Sequence, residues 1–472
     1  MDAKPYDITS PESLLEFARL LKGKSLRQLH PEAVLYSEGK GGFGQTVEKY
    51  HFGYEPNDNA EPDFVDAGVE LKCTPLKQIK DGSMVSKERL VLNIINYIEE
   101  YDKDFKTSSF MHKNALILLM FYLHLKGVDK LDLLFKIIRL WSIPKEDLKI
   151  FIDDWSIIHK KIVNGLAHEI SEGDTLYLSA CRKGAGHNQD GRKQPSSDVL
   201  ADQRAYSIKS SYLNQIIIDS LAHPEMFDGV TMTAKQRRII EKKKIALGSV
   251  VKSVKDYKRG ETFEQLVERR FRPYVGMTVA GIAKKLKKNI STSPKAISYS
   301  ICRAILGVKE RSIAEFEKAG LQLKTIRLEQ NGKLREAMSF QTIKYKDIIS
   351  EDEWDESDWY NTIAAHRFLF IVFRKKKGGA AADSVLERIF FWSMPYKDIK
   401  AAEVFWRDTR DKVRLGDYAH FIKSSEHPVC HVRPKARNAA ATTETPQGGK
   451  ARKLCYWLNR GYVLNIVNDH MK

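Results

Sequence analysis

The sequence predicts a mixed α/β fold, a central mixed sheet with flanking helices, built twice along the chain. Three observations carry that expectation. Val69-Glu70-Leu71-Lys72-Cys73 alternates with period two, Ala115–Phe121 is a continuous apolar run of strand length, and motifs recur at an offset near 251 residues.

The elements follow in order. Leu14, Leu15, Phe17, Leu20 and Leu21 are spaced to share one face of an opening helix. In the alternating strand, Val69, Leu71 and Cys73 point to one side and Glu70 and Lys72 to the other. Ala115–Phe121 reads as a buried strand, and the stretch through Trp155–Ile162 as a helix. Leu176–Cys181 and Tyr206–Tyr212 form a late, hairpin-like region.

The repeat is a series of ordered matches. Trp141-Ser142-Ile143-Pro144 returns as Trp392-Ser393-Met394-Pro395, Trp155 as Trp406, Gly165 as Gly416 and Arg182 as Arg433. Gly68-Val69-Glu70-Leu71-Lys72 pairs with Gly320-Leu321-Gln322-Leu323-Lys324, and His112-Lys113 with His366-Arg367. Tyr206 and Tyr212 pair with Tyr456 and Tyr462. Matches in constant order and at nearly constant offset imply duplication. The expected domains are residues 1–220 and 260–472, with 221–259 a charged helical connector.

Composition restricts the function. Net charge is +17, but residues 1–232 carry −5 and the remainder +22. A surplus confined to one half suits a polyanion such as double-stranded DNA. No run approaches the roughly 18 apolar residues of a membrane span, and the start lacks a signal-peptide pattern, so no membrane partner and a cytoplasmic location are expected. Five cysteines, with no C-x-x-C pair, indicate neither a disulfide framework nor a zinc site.

The chemistry concentrates in Pro62-Asp63-x6-Glu70-x-Lys72. Gly68 permits a turn ahead of the strand. With Asp63 on the adjoining arm, two carboxylates and an amine converge. Hard oxygen ligands suit Mg²⁺, which takes one or two carboxylates and completes its shell with water and phosphate oxygens. Phosphodiester hydrolysis uses such an ion to polarise the phosphate and activate water, and a lysine to orient that water or balance charge. Asp63 and Glu70 are therefore the expected metal ligands. Glu48 is a further candidate ligand, and Lys40 and Lys113 are candidate phosphate contacts. The glycine-rich Gly39-Lys40-Gly41-Gly42-Phe43-Gly44 fits neither phosphate-loop nor dinucleotide patterns and reads as a loop approaching DNA. His112 and His187 read as structural.

These motifs resemble the PD-(D/E)-x-K nuclease signature as it occurs in MutH, and in the GATC-cutting type II restriction endonucleases that carry the MutH domain twice. The resemblance spans almost the whole chain. It includes Lys40 with Glu48 eight residues on, Asp63-x6-Glu70-x-Lys72, His112-Lys113, and Arg433-Pro434-Lys435-Ala436 with Asn438. It implies a restriction-endonuclease-like fold, present twice, with Asp63, Glu70, Lys72, Glu48 and Lys113 as the catalytic group. Arg182 and Tyr206 stand where that family reads DNA, although Arg182-Lys183-Gly184 lacks the family's proline.

The second copy loses these acids. Asp63 pairs with Glu315, Glu70 with Gln322, Glu48 with the neighbourhood of Cys302, and Lys113 with Arg367; only Lys324 persists. Basic and aromatic groups remain at Arg367, Arg433, Lys435, Arg437, Tyr456 and Arg460. The expected function is a Mg²⁺-dependent type II restriction endonuclease with a catalytically silent, allosteric DNA-binding second domain. A DNA-induced homodimer and a cognate DNA methyltransferase as genetic partner complete the expectation. The alternatives are a MutH-type mismatch-repair nickase, which would nick rather than linearise a plasmid, and a non-catalytic DNA-binding regulator, which would do neither.

Overall fold

The computed structural model describes residues 4–39, 41–57, 59–183, 191–223, 225–227, 238–242, 246–293, 296–376, 378–434 and 441–471. The chain divides into two compact units. Unit 1 comprises Met1–His168, Thr175–Asp256 and Glu310–Gly320; unit 2 comprises Glu169–Asp174, Tyr257–Lys309 and Leu321–Lys472. Within 221–259, Leu247–Gly248 forms a short strand parallel to Ser312–Ile313, both in unit 1. No described helix is long and apolar enough to cross a membrane, and all five cysteines are free thiols.

Unit 1 opens with helix α1, Pro11–Ala18. Ser10 caps it by accepting from the Ser13 N–H, and Pro11 occupies the first turn, where its missing donor costs nothing. Leu14, Ala18 and Leu21 are buried, but Leu20 is 52% exposed, contrary to the expected single apolar face. The helical wheel accounts for it: Leu20 falls well off the line of Leu14, Ala18 and Leu21, the residues that face the core.

The principal elements of unit 1 form two larger sheets and their helices, beside a small two-stranded sheet of Arg192–Gln194 and Ser197–Ala201. They are α2 (Gly42–Tyr50), β1 (Glu70–Gln78), β2 (Met84–Ser86), β3 (Leu90–Ile94), α3 (Ser109–Asn114), β4 (Ile117–Leu123), β5 (Phe135–Trp141), α4 (Leu148–Val163), β6 (Leu178–Arg182), β7 (Arg204–Ile208) and α5 (Ser210–Leu221). The first sheet has the order β2-β1-β4-β5. β1 runs parallel to β4 with Glu70 opposite Ile117, and β4 is antiparallel to β5. The fully buried Ile117–Phe121 segment of β4 explains the unbroken apolar run, because a central strand covered on both faces has no polar side to show. The second sheet, β3-β7-β6, is antiparallel.

Unit 2 repeats this plan with α6 (Ile297–Leu306), β8 (Gln322–Leu328), β9 (Met338–Thr342), β10 (Phe368–Arg374), β11 (Val385–Trp392), α7 (Tyr396–Leu415), β12 (Cys430–Arg433), β13 (Cys455–Leu458) and α8 (Arg460–Met471). β8 is parallel to β10 with Gln322 opposite Phe368, and β10 is antiparallel to β11. A second antiparallel sheet has the order β9-β13-β12.

Buried polar contacts repeat as well. The Trp155 indole donates to Glu100 at 3.2 Å, and the Trp406 indole to Glu351 at 2.8 Å. Tyr212 donates to Asp147 at 2.8 Å, and Tyr462 to Asp398 at 2.7 Å. Gly165 and Gly416 adopt positive φ, +70° and +77°, just past the ends of α4 and α7, as a left-handed helix stop requires. Glu100 carries the greater load, since the Tyr206 hydroxyl also donates to it at 2.9 Å. Glu100→Ala should orphan two buried donors and lower the unfolding free energy by about 2–4 kcal/mol. Urea unfolding followed by tryptophan fluorescence measures this; an unshifted midpoint would remove Glu100 from the supports of the fold.

Candidate active site

A tight reversal ahead of β1 assembles the site. The Phe64 N–H donates to the Val69 carbonyl at 2.9 Å and the Val69 N–H to the Phe64 carbonyl at 3.1 Å. Gly68 closes the reversal at φ +63°, a conformation that costs a side chain about 1 kcal/mol or more. Asp63 is thereby laid beside the start of β1. Its Oδ2 accepts the Leu71 N–H at 2.8 Å, while its own N–H donates to Glu70 Oε2 at 3.1 Å. Each acid is fixed by the other's stretch of backbone.

Two amines approach the same carboxylates. Lys72 Nζ hydrogen-bonds Glu70 Oε1. Lys113, near the end of α3, places Nζ 3.9 Å from Glu70 Oε1 and donates to the Asn59 carbonyl at 2.6 Å. Its neighbour His112 bonds Glu61 at 2.8 Å, so α3 anchors the segment leading to Asp63 at two points. Helix α2 carries Glu48, with Val47 buried beneath it. Helix α2 packs on β1 at Gly44, where a Cβ would stand 3.8 Å from the Cys73 Cβ, an ordinary contact.

The expected sidedness of β1 holds at Val69 and Leu71, which are buried in the core. The face bearing Glu70 and Lys72 is not a solvated one, however. Glu70 is 1% exposed, because neighbouring elements cover that face too. The electrostatics reflect this enclosure. Burial pushes the Glu48 carboxyl up to about 7, helped by the charges of Asp63 and Glu70 and opposed by those of Lys72 and Lys113. Burial also raises Glu70 against the pull of Lys72. Desolvation works against the Lys72 ammonium, yet Glu70 and Asp63 outweigh it and hold the amine above its usual range.

This donor set fits a divalent cation. Asp63, Glu70 and Glu48 offer hard oxygens, and burial together with the neighbouring carboxylates makes Glu48 and Glu70 hold their protons more tightly than free carboxyls do. Among the described residues no group of three or more His, Cys, Asp or Glu side chains closes on a metal-sized point. An ion here would be held by one or two carboxylates and would keep much of its water, as Mg²⁺-like ions do.

Comparison with known proteins agrees with this chemistry. The family model "DNA mismatch repair enzyme MutH" matches residues 52–154 and, again, 306–403. The first match contains Asp63, Glu70, Lys72 and Lys113; the second contains Glu315, Gln322, Lys324 and Arg367. The chain is 33% identical over 474 residues to the type II restriction enzyme Sau3AI of Staphylococcus aureus, an alignment covering 93% of this chain and 90% of that protein. The chain belongs to the MutH-related type II restriction endonucleases. It is a DNA endonuclease, a hydrolase of phosphodiester bonds, with a duplicated MutH domain.

The second MutH copy does not rebuild the acidic site. Glu315, paired by sequence with Asp63, accepts the N–H groups of Val250 and Val251 at 3.0 and 2.9 Å, all within unit 1. Gln322 heads β8 in place of Glu70, and Lys324 lies over the Phe340 ring at 4.2 Å. Cys302 is buried in α6. Arg367, paired with Lys113, is gripped by Glu264 at 2.6 and 2.8 Å and by Ser393 at 3.0 Å. The expected DNA contact from Arg367 therefore gives way to an internal ion pair.

The other expected DNA-reading residues divide. Lys40, Lys435 and Arg437 lie outside the described residues, as do Asn438 and His187. Arg182 ends β6 and pairs with Asp202 at 3.2 Å, which offsets its charge. Arg433 is exposed at the end of β12, its guanidinium 4.0 Å from the Trp457 ring centre. Arg460 begins α8 and is also exposed. Tyr206 and Tyr456 are corrections: both are buried on interior strands, Tyr206 bonded to Glu100 and Tyr456 stacked on Trp359 at 4.5 Å. A repeated tyrosine is as consistent with a repeated core as with a repeated interface, and here the core claims both. Tyr206→Phe should lower stability by about 1 kcal/mol through loss of one hydrogen bond and leave affinity for target DNA unchanged. Chemical denaturation and electrophoretic mobility shift, run side by side, test this.

Sequence reasoning passed over Tyr54. It follows the C-terminus of α2, where its N–H donates to the Glu48 carbonyl at 3.3 Å, and its hydroxyl is buried without a hydrogen-bond partner. Six residues beyond Glu48 and nine before Asp63, it belongs to no recognisable motif; only the chain's return past α2 brings it to the site.

Proposed function

We propose that the protein cuts both strands of double-stranded DNA at GATC, using Mg²⁺ held by Asp63 and Glu70. The observation that carries this is the mutual clasp of those two acids, with Lys72 on Glu70 and Lys113 and Glu48 beside them. The resemblance to the GATC-cutting endonucleases supplies the target. Bound there, the ion would polarise the scissile phosphate and favour ionisation of water.

The residues divide the remaining work. Asp63 and Glu70 present oxygens on one side of the reaction centre. Lys72, held protonated by these acids, serves as a cation for the charge that builds on the phosphate rather than as a base. Glu48 is the group poised to exchange a proton near neutrality. Lys113 pins the approach to Asp63 through Asn59 and stands 3.9 Å from the same Glu70 oxygen that Lys72 bonds, adding positive charge there. In hydrolysis the water oxygen bonds to phosphorus as one P–O ester bond breaks. The water's proton leaves towards Glu48 or solvent, and the departing alcohol oxygen takes a proton from solvent.

Unit 2 fits binding without cutting. It keeps the sheet and the basic surface residues Arg433 and Arg460, but has an amide where Glu70 stands in unit 1. The reading assigns it an allosteric DNA-binding role, with two chains meeting on a palindromic target because each holds one complete acidic site. It also places the enzyme in the cytoplasm, with a DNA methyltransferase as its genetic companion.

Asp63→Asn should abolish cleavage, by about 10³-fold or more, while the chain still shifts a GATC duplex on a native gel. Digestion of unmethylated plasmid with sequencing of the ends tests target and activity together; retained cutting by the variant would remove Asp63 from the site. The Glu48 carboxyl at about 7 sets a second outcome. Protons compete with the ion below that pH, so Mg²⁺ affinity should fall as pH drops from 8 to 6, by up to about tenfold per unit for each coupled proton. Isothermal titration at three pH values measures it, and a pH-independent affinity would refute a carboxyl that keeps its proton to near neutrality. Arg433→Glu should weaken stimulation of cleavage by an added non-cleavable GATC duplex. Undiminished stimulation would exclude Arg433 from the effector surface.

A further inference from the structure

Tyr54 combines features that the reaction as so far described leaves unused. Its hydroxyl is buried and has no hydrogen-bond partner among the described residues. The strongest charges acting on it are those of Asp63, then Glu48, then Glu70, the three carboxylates of the cleavage site. Its ring is seated firmly, edge-on to Phe64 with centroids 5.4 Å apart, and Phe64 is the residue next to Asp63. Its backbone is fixed to Glu48 through the Tyr54 N–H. An orphaned buried hydroxyl is costly, and this one is set among the charges of three carboxylates.

The packing rules out the simplest alternative use of the hydroxyl. Tyr6, also against Phe64, donates to the Phe52 carbonyl and so has a structural acceptor. Tyr54 has none, although it lies on the same aromatic cluster. Carboxylates that ligate a metal are themselves hydrogen-bonded from behind, which fixes the oxygen that faces the ion. Asp63 already accepts the Leu71 N–H on Oδ2.

We propose that Tyr54 is a positioning residue of the cleavage site: its hydroxyl donates to the Asp63 carboxylate in the charged site and orients that carboxylate towards the divalent ion. The inference rests on the assignment of Asp63 as a metal ligand. In the ion-free protein the donor stands unpaired beside a carboxylate that is tied to Leu71. Occupation of the site draws the carboxylate into one orientation, and the hydroxyl supplies the bond that holds it there. Tyr54 touches no reacting atom; it acts through Asp63.

Tyr54→Phe in the full chain removes one oxygen atom and keeps the ring. Mn²⁺ titrated calorimetrically into the protein without DNA should bind about 10–100-fold more weakly than to the parent chain. The turnover number on a GATC duplex should fall with little change in KM. The melting temperature of the ion-free protein should stay the same or rise, since the hydroxyl has no partner to lose. An unchanged Mn²⁺ isotherm would overturn the proposal. So would a lowered ion-free melting temperature, because it would show that the hydroxyl already serves the fold. Asp63→Asn, run in parallel, separates the two layers: if it keeps cleavage and Mn²⁺ binding, the metal assignment itself fails, whereas its loss of both alongside a normal Tyr54→Phe sinks the role of Tyr54 alone.

Discussion

Asp63 and Glu70 each accept a backbone N–H at or beside the other, and the proposed chemistry rests on that arrangement. The Leu71 N–H points at the Asp63 carboxylate, and the Asp63 N–H points at the Glu70 carboxylate. Two negative groups would otherwise separate to the limits of their side chains. Bonds from backbone donors, with an ammonium on Glu70, keep them together in a covered site, and burial there makes Glu48 and Glu70 weaker acids than free carboxyls. The reversal that permits the clasp depends on the one positive-φ residue in the loop, Gly68.

The two units show what duplication preserves when chemistry is dropped. Sheet order and register survive, and so do the buried contacts Trp155–Glu100 and Trp406–Glu351, and Tyr212–Asp147 and Tyr462–Asp398. These contacts satisfy polar groups in the interior, where an unpaired partner is expensive whatever the surface does. The acids of the first site faced no such constraint once their ion was dispensable. Glu315 turned to the Val250 and Val251 N–H groups, and Arg367 to Glu264. A charged side chain released from one task is readily taken up by another.

Much of the site was legible because it is local. Asp63, Gly68, Glu70 and Lys72 lie within ten residues, and strand alternation plus one turn predicts their convergence. Glu48 and Lys113 stood as a candidate ligand and a candidate phosphate contact, and the family resemblance placed them in the catalytic group. The tyrosines show the limit: Tyr206 and Tyr456 stood out for recurring, yet recurrence does not distinguish a wall of the core from a face towards DNA. Leu20 shows it on a smaller scale: it sits off the line of the buried Leu14, Ala18 and Leu21 and is exposed.

From its sequence alone the chain declared its duplication, its mixed α/β class, the acidic pair with its lysine, and the loss of that set in the second copy, because each is written in short-range spacing or in repeated order. Tertiary structure decided the rest: that the Glu70 face is enclosed, that Arg367 is internally paired, that Tyr206 supports the core, and that Tyr54 stands unpaired among the acids. These depend on which distant segments cover a given side chain, and burial and hydrogen-bond partnership are properties of the packed chain that no local pattern encodes.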